Sequence, residues 1–315
     1  MTYAIETERL GMVFTTNWGG KKRALQDLTI QIEENEIVGF LGHNGAGKTT
    51  TIKILVGICH QTEGKARIFG VPTEKVAART KIGFLPEDPY FYEYLTGLES
   101  IQFYGNLHGI PHRECQKKAQ EILDEVGLGH AMNRRVREFS KGMKQRLGLA
   151  QAMIHDPQLL ILDEPLSGLD PVGRREVREK IRALKEKGKT VFFSSHVLSD
   201  VELLCDRAAL LSQGNLVSMG TLDSLLDSQI ISVDLVMEGI DEAARHEISP
   251  HCLRILSEGK RHAIQVKDEE SAQKVKAIAE KHGAILKSLV PNRESLEDYY
   301  FRHAQKEKIV EGERP

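Results

Sequence analysis

The sequence has 315 residues, 40% of them apolar, and a formal net charge of −2. This length allows one large domain and a smaller one, and the near-neutral charge argues against a chain that coats nucleic acid. The four cysteines are far apart and form no C-x-x-C pair, which favours reduced thiols in a cytosolic compartment over disulfides or a zinc site. The first residues lack the features of a signal peptide, and no apolar run reaches the roughly 18 to 20 residues that span a bilayer. We therefore expect a chain that is soluble by itself.

Three short strands are predicted before the first glycine-rich segment, over residues 4–14, 28–32 and 37–41, with a basic loop or hairpin at 17–23. The third strand is entirely apolar and runs directly into Gly42-His43-Asn44-Gly45-Ala46-Gly47-Lys48-Thr49-Thr50. A helix over 49–56 follows. A buried strand, a glycine loop, a lysine, a hydroxyl and a helix, in this order, are the phosphate-binding P-loop in its required context.

The residue types of this loop suit a nucleoside triphosphate. The glycines let the backbone turn tightly and direct its N–H groups at phosphate oxygens, and the helix N-terminus adds partial positive charge. Lys48 supplies a full charge to the β- and γ-phosphates, and the Thr49 hydroxyl can ligate Mg²⁺. The segment therefore predicts binding of a nucleoside triphosphate.

Strands and helices alternate in the middle of the chain. Short strands are predicted at 64–69 and 82–85, followed by a mostly helical region over 98–126 that breaks near 109–111. Further predicted elements are a buried strand at 159–162, a helix that Asp170-Pro171 opens and Gly188 closes, and buried strands at 190–194 and 208–211. This alternation predicts an α/β fold with a right-handed parallel core.

The pattern changes after residue 220. Strands are predicted at 230–237, 262–267 and 284–290, with an amphipathic helix over 269–282 and a final helix over 295–304. We interpret this as a small α+β domain of roughly βαββαβ type. The predicted division is a nucleotide-binding domain over 1–225, the α+β domain over 226–304, and a charged tail over 305–315 that is expected to be disordered.

Two carboxylates follow the apolar strand Leu159-Leu160-Ile161-Leu162. Asp163 lies at the Walker B position, where an aspartate holds Mg²⁺ directly or through water. Glu164 is placed to orient and deprotonate an attacking water. With a P-loop upstream, the pair predicts hydrolysis in addition to binding.

A further helix start is predicted at Ser140, before the Walker B strand. Ser140 and Gly142, in Phe139-Ser140-Lys141-Gly142-Met143, form a second anion cradle before the Walker B strand. The combination resembles the signature motif of ATP-binding cassette (ABC) ATPases, whose common form is Leu-Ser-Gly-Gly-Gln. The serine and the second glycine of this form, which contact phosphate, are retained as Ser140 and Gly142. The other three positions differ and are occupied by Phe139, Lys141 and Met143.

The resemblance implies further roles. Ser167-Gly168-Leu169-Asp170 resembles the D-loop, and His196 resembles the switch histidine that contacts the γ-phosphate. An aromatic residue upstream of the P-loop should stack on adenine, for which Phe14 is the first candidate and Trp18 the rival. Glu87 stands where family members commonly have glutamine. This glutamate and the C-terminal α+β unit resemble features of the ATPase subunits of type-2 ABC exporters. The family fold adds an antiparallel β subdomain and a helical subdomain to the parallel core.

The site assignments that follow can be stated by role. We assign catalysis to Lys48, Glu164 and His196. We assign ATP binding to Phe14, Gly42, His43, Asn44, Gly45, Ala46, Gly47, Lys48, Thr49, Thr50, Glu87, Ser140, Gly142, Asp170 and His196. We assign metal binding to Thr49, Glu87 and Asp163, with ATP and Mg²⁺ as the cofactors.

The resemblance also implies partners. Two chains, identical or paired, would hold two ATP molecules head to tail, so that Lys48 of one faces Ser140 and Gly142 of the other. A separate transmembrane permease would carry the substrate, with this chain peripheral on the cytoplasmic face of the membrane and no nucleic acid bound. The aromatic cluster Phe84, Tyr90, Phe91, Tyr92 and Tyr94 either receives a permease helix or packs within the domain. The rival functions are an ABC ATPase acting on ribosomes or DNA, and a catalytically inactive ATP sensor.

Overall fold

The computed structural model describes residues 2–15, 19–225, 230–293, 296, 298 and 299. The chain divides into two compact units, one ending at Leu222 and one beginning at Asp223. Trp18, most of the predicted final helix and the whole predicted tail lie outside the described residues. No helix in the described part of the chain is both long enough and apolar enough to cross a bilayer.

The first unit begins with a β-rich half. Its elements are β1 (Ile5–Thr15), β2 (Lys21–Leu28), β3 (Gln31–Ile32), β4 (Ile37–Leu41), α1 (Lys48–Leu55), β5 (Glu63–Ile68), β6 (Val71–Pro72), α2 (Val76–Arg79) and β7 (Ile82–Leu85). The remaining elements are α3 (Gly97–Leu107), α4 (His112–Glu125), α5 (Lys141–Met153), β8 (Leu159–Leu162), α6 (Pro171–Glu186), β9 (Thr190–Ser195), α7 (Leu198–Leu204), β10 (Arg207–Ser212) and β11 (Asn215–Thr221). A one-turn helix, α8 (Leu222–Leu225), follows β11.

The central sheet has six strands in the order β11-β10-β4-β9-β8-β7. The five strands from β10 to β7 run parallel, and β11 pairs antiparallel with β10 at the edge. Every residue of β4, β8 and β9 is buried, as expected for parallel strands that are covered on both faces. The predicted α/β core is confirmed, and β11 is an additional strand that the sequence pattern did not reveal.

A second, antiparallel sheet has the order β2-β1-β5-β6, with β3 paired to β1. Lys21, Lys22 and Arg23, which were predicted to lie in a basic loop or hairpin, begin strand β2, whereas a strand was predicted only from residue 28. Most side chains of β2 are exposed, so the strand has little apolar alternation of its own. Its backbone pairing with β1 supplies the stability that a sequence pattern cannot display.

The helical part of the first unit contains α3, α4 and α5. Thr96 and Glu99 form a capping box that fixes the start of α3. The predicted break lies between α3 and α4, where Gly109 has a φ of 79°. Helix α5 starts at Ser140, whose Oγ accepts from the Met143 backbone N–H at 3.3 Å.

The second unit contains β12 (Ile230–Glu238), α9 (Glu242–Ile248), β13 (Cys252–Glu258), β14 (Arg261–Val266), α10 (Glu269–Lys281) and β15 (Ile285–Arg293). The four strands form one antiparallel sheet in the order β13-β14-β12-β15. Alternate residues of β12 and β14, including Val233, Leu235 and Ile264, pack with Val275 and Ala279 of α10 in a core of their own. The order of elements is therefore β-α-β-β-α-β.

Candidate functional site

The P-loop lies between β4 and α1, and two of its glycines have a left-handed backbone. Gly45 has a φ of 84° and Gly47, the N-cap of α1, a φ of 111°. A Cβ on Gly47 would lie 2.7 Å from Leu25 Cδ2 and 2.8 Å from the Ala24 carbonyl oxygen. Both the conformation and the space therefore require glycine at position 47.

Lys48 is nearly buried, with 6% of its surface exposed. Its Nζ donates to the Gly42 carbonyl oxygen at 2.6 Å and lies 3.3 Å from Glu164 Oε1. Strand β4 brings in the loop that carries the lysine, and β8 delivers the glutamate. The structure thus joins a cation and a carboxylate that lie in two separate motifs of the sequence.

Glu164 is the centre of a chain of polar contacts. Its Oε2 lies 2.8 Å from His196 Nδ1, while its backbone N–H donates to Ser194 Oγ at 2.9 Å. The Ser194 hydroxyl in turn donates to Asp163 Oδ1 at 2.6 Å. One carboxylate therefore connects Lys48 to His196, and one serine fixes both the glutamate backbone and the neighbouring aspartate.

Asp163 is 3% exposed at the end of β8. Burial raises the pKa of its carboxyl group above the ordinary value. Hydrogen bonds from the Ser194 and Thr49 hydroxyls and the nearby Lys48 charge act in the opposite direction and offset only part of this rise. The threonine hydroxyl and the aspartate carboxylate thus meet at the start of α1. These are hard oxygen donors of the kind that Mg²⁺ prefers.

A first cleft of about 520 Å³ opens over the P-loop. It is lined by Phe14, Lys22, Arg23, Ala24, His43, Asn44, Gly45, Gly47, Lys48, Thr49, Thr50, Glu87, Glu164 and Gln213. Phe14 is 40% exposed, so its ring is available at the cleft wall. Four of the assigned residues do not line the cleft: Gly42, Ala46, Asp163 and His196. Gly42, Asp163 and His196 are hydrogen-bonded to lining residues, namely Lys48, Thr49 and Glu164 in that order. Ala46 is buried in the core.

Five residues of this region were not among the assigned site residues. Lys22, Arg23 and Ala24 lie on β2, and the only sequence signal was the basic character of the segment. Gln213 gave no signal, because it lies in the turn between β10 and the unpredicted β11. Ser194 immediately precedes the predicted switch region, and its hydroxyl role depends on contacts with a different strand.

Ser140, Gly142 and Asp170 do not join the first cleft. They line a second cleft of about 460 Å³ together with Gly168, Leu169 and residues of α5 and α6. Asp170 caps α6, accepting from the Gly173 backbone N–H at 2.9 Å. The two clefts share no lining residue, so each carries only part of the predicted ATP-contacting set.

The predicted aromatic cluster is split by the fold. Phe91 is 4% exposed and packs edge-on against Tyr104, whereas Tyr90 and Tyr94 are 83% and 67% exposed. Tyr92 packs against Tyr94, with ring centroids 5.7 Å apart. Packing within the domain therefore accounts for Phe91, and an exposed tyrosine surface remains.

A P-loop ending a buried parallel strand, with its lysine against a carboxylate of another strand, defines a nucleoside triphosphatase of the P-loop class. The family profile described as ABC transporter matches residues 25–167. An uncharacterized ABC transporter ATP-binding protein of Synechocystis is 42% identical over 244 residues, covering 76% of this chain and 69% of that protein. The chain belongs to the ABC transporter family and is one of its ATP-binding, ATP-hydrolysing subunits.

Two further comparisons extend this result. The bacitracin transport ATP-binding protein BcrA of Bacillus licheniformis is 35% identical over 294 residues, covering 91% of this chain and 94% of that protein. A solved structure of the ATP-binding subunit of an ABC transporter is 31% identical, with a TM-score of 0.63, covering 70% of this chain and 91% of that one. The expected family and the ABC ATPase fold are confirmed.

Proposed function

We propose that the first cleft binds ATP, with Phe14 stacked on adenine and the backbone of 42–47 around the phosphates. The observation that carries the proposal is the chain of contacts Lys48–Glu164–His196, of which Lys48 and Glu164 line the cleft. We assign the γ-phosphate to the space beside these two residues. His43, Asn44 and Thr50 line the same cleft, and Glu87 enters it from the loop after β7. The domain that carries this chemistry is the one predicted over 1–225.

Mg²⁺ is the metal that fits the residues present. The Thr49 hydroxyl and the buried Asp163 carboxylate are adjacent, and an acid that burial makes harder to ionise is stabilised by a cation beside it. Glu87 is the third assigned oxygen donor and lines the same cleft as Thr49. When bound, the ion neutralises charge on the β- and γ-phosphates.

Hydrolysis is assigned to Glu164, Lys48 and His196. A water attacks the γ-phosphorus, its proton passes to the Glu164 carboxylate, and the bond from phosphorus to the ADP oxygen breaks. Phosphate oxygens compete for the Lys48 ammonium that otherwise lies 3.3 Å from Glu164, which leaves the carboxylate able to accept the proton. His196, held at 2.8 Å from Glu164, orients that carboxylate and donates to the γ-phosphate.

Two chains complete each site. Ser140, Gly142 and Asp170 lie in a separate cleft at the N-termini of α5 and α6, where backbone N–H groups favour an anion. A head-to-tail dimer brings this second cleft of one chain against the ATP in the first cleft of its partner. ATP then closes the dimer and hydrolysis opens it.

The dimer drives a separate permease, on the cytoplasmic face of the membrane, and the direction is export. The name of the bacitracin transport relative supports this reading, since that protein matches along nearly its full length. No observation favours the rival ribosome- or DNA-directed ATPase. A catalytically inactive sensor is opposed by the intact set Lys48, Asp163, Glu164 and His196.

The test is Glu164→Gln, which keeps the shape of the side chain and removes its basicity. We expect ATP turnover to fall by roughly 10²-fold or more while ATP binding persists, and the variant to accumulate as an ATP-bound dimer. Glu87→Gln is the matched control, for which we expect a change of less than about tenfold. Normal turnover by a Glu164→Gln chain that stays monomeric with ATP would remove Glu164 from this role.

A further inference from the structure

Three cationic side chains line the first cleft, and two of them are already engaged. Lys48 lies 3.3 Å from Glu164. Arg23 donates to both carboxylate oxygens of Glu63, at 2.9 and 3.2 Å, on the far side of strand β1. Lys22 has no hydrogen-bond or ion-pair partner among the residues that the structure describes.

The position of Lys22 follows from the register of the β1–β2 hairpin. Lys22 pairs directly with Phe14 across the two strands, so both side chains project from the same face. Residues that lie directly opposite each other on paired strands have Cβ atoms about 5 Å apart. The lysine side chain carries its ammonium group about the same distance from its own Cβ. An ammonium group is therefore available beside the ring assigned to adenine, in the lining of the first cleft.

We propose that Lys22 is a nucleotide-binding residue that contacts the α-phosphate, a role that rests on the proposed ATP site. An ATP molecule that stacks on Phe14 and reaches Lys48 with its terminal phosphates passes its α-phosphate between these two residues. A free ammonium group binds an oxygen of the α-phosphate as a point charge. Because ATP and ADP share the α-phosphate, Lys22 contributes to the affinity for both nucleotides.

The strand also offers a matched control. Lys21 is the preceding residue, carries the same charge, pairs with Thr15 and does not line the cleft. Successive side chains of a strand point to opposite faces, so Lys21→Gln changes the net charge equally without removing the contact. Both lysines are exposed, so both variants should fold as the wild type does.

The experiment compares the full-length wild type, Lys22→Gln and Lys21→Gln by calorimetric titration with ATP, ADP and adenosine. We expect Lys22→Gln to weaken the affinity for ATP and for ADP by the same factor, about three- to tenfold, with the adenosine affinity unchanged. The loss should shrink as ionic strength rises, because an exposed charge contact is screened. Lys21→Gln should match the wild type.

The outcomes separate this inference from the function on which it rests. Wild-type affinity for ATP and ADP in Lys22→Gln, or an equal loss in Lys21→Gln, overturns the role of Lys22 and leaves the ATP site intact. A loss that extends to adenosine overturns the phosphate contact. Failure of the wild type itself to bind ATP, by contrast, refutes the proposed site.

Discussion

Asp163 and Glu164 are consecutive residues whose surroundings give them different chemistry. Both residues follow the end of strand β8, and Glu164 has a left-handed backbone with a φ of 49°. The turn lets its side chain lie beside Lys48 while Asp163 meets the hydroxyls of Ser194 and Thr49. Such conformations in non-glycine residues concentrate at functional sites, where the surrounding contacts hold them.

Asp163→Asn tests the buried carboxylate through its pH dependence. Burial raises the pKa of Asp163 in the folded protein, so the folded state holds a proton that the unfolded state has released. Its contribution to stability is therefore present below the ordinary pKa and is lost as pH rises through the folded-state pKa. We expect the stability of Asp163→Asn relative to wild type, from urea unfolding without nucleotide, to increase as the pH rises from about 4, the ordinary pKa of aspartate, through the raised folded-state pKa. A difference that is constant with pH would contradict this account.

At the scale of elements, the approach of helix α5 to strand β7 is set by glycines. A Cβ on Gly83 would lie 2.1 Å from the Ala152 carbonyl oxygen, and one on Gly148 would lie 2.5 Å from Leu85 Cδ1. The helix and the strand therefore pack closer than side chains would allow. Because α5 begins at Ser140, this packing also fixes the position of the second cleft.

Gly83→Ala should consequently destabilise the protein by about 1 to 3 kcal/mol, since neither a backbone oxygen nor a buried strand can move freely. The control is Gly142→Ala, in the first turn of helix α5, where a Cβ would meet only Leu169 Cδ2 at 3.5 Å. Its stability should be unchanged or slightly higher, because alanine favours helix. Denaturant unfolding of both variants measures the contrast, and equal stabilities would contradict the packing argument.

At the scale of the whole molecule, the residues of the proposed ATP site are divided between two clefts of the chain. The first cleft holds Lys48 and Glu164, and the second holds Ser140 and Gly142, with no residue in common. A head-to-tail arrangement makes both halves functional at once, and a twofold axis then generates two equivalent sites. This arrangement predicts that defects in different halves can complement each other.

Lys48→Ala and Gly142→Asp are the variants for this test. Each should be inactive alone, the first through loss of the phosphate-binding charge and the second through a carboxylate that repels phosphate. Mixed in equal amounts, half of the dimers are hybrids, and each hybrid has one intact site. We expect about a quarter of the wild-type ATPase activity when sites turn over independently. A mixture as inactive as its components would place the complete site within one chain.

Local patterns in the sequence were sufficient for much of this protein. The P-loop, the helix that follows it, the buried strand before Asp163 and the cap at Asp170 each depend on residues within a few positions of one another. Buried parallel strands are largely apolar, and glycine loops and caps have characteristic residue types, so the core and most residues that line the first cleft could be selected from the sequence.

Tertiary structure decided what depends on distant pairing. Strand β2 and strand β11 are edge strands whose stability comes from β1 and β10, so their own sequences show little alternation. The contacts of Ser194 with Asp163 and Glu164, and the alignment of Lys22 with Phe14, join residues on different strands. The separation of Gly142 from Lys48 into different clefts is likewise a property of the folded chain. Side-chain type and spacing identify the chemistry, whereas register and strand order determine which groups meet.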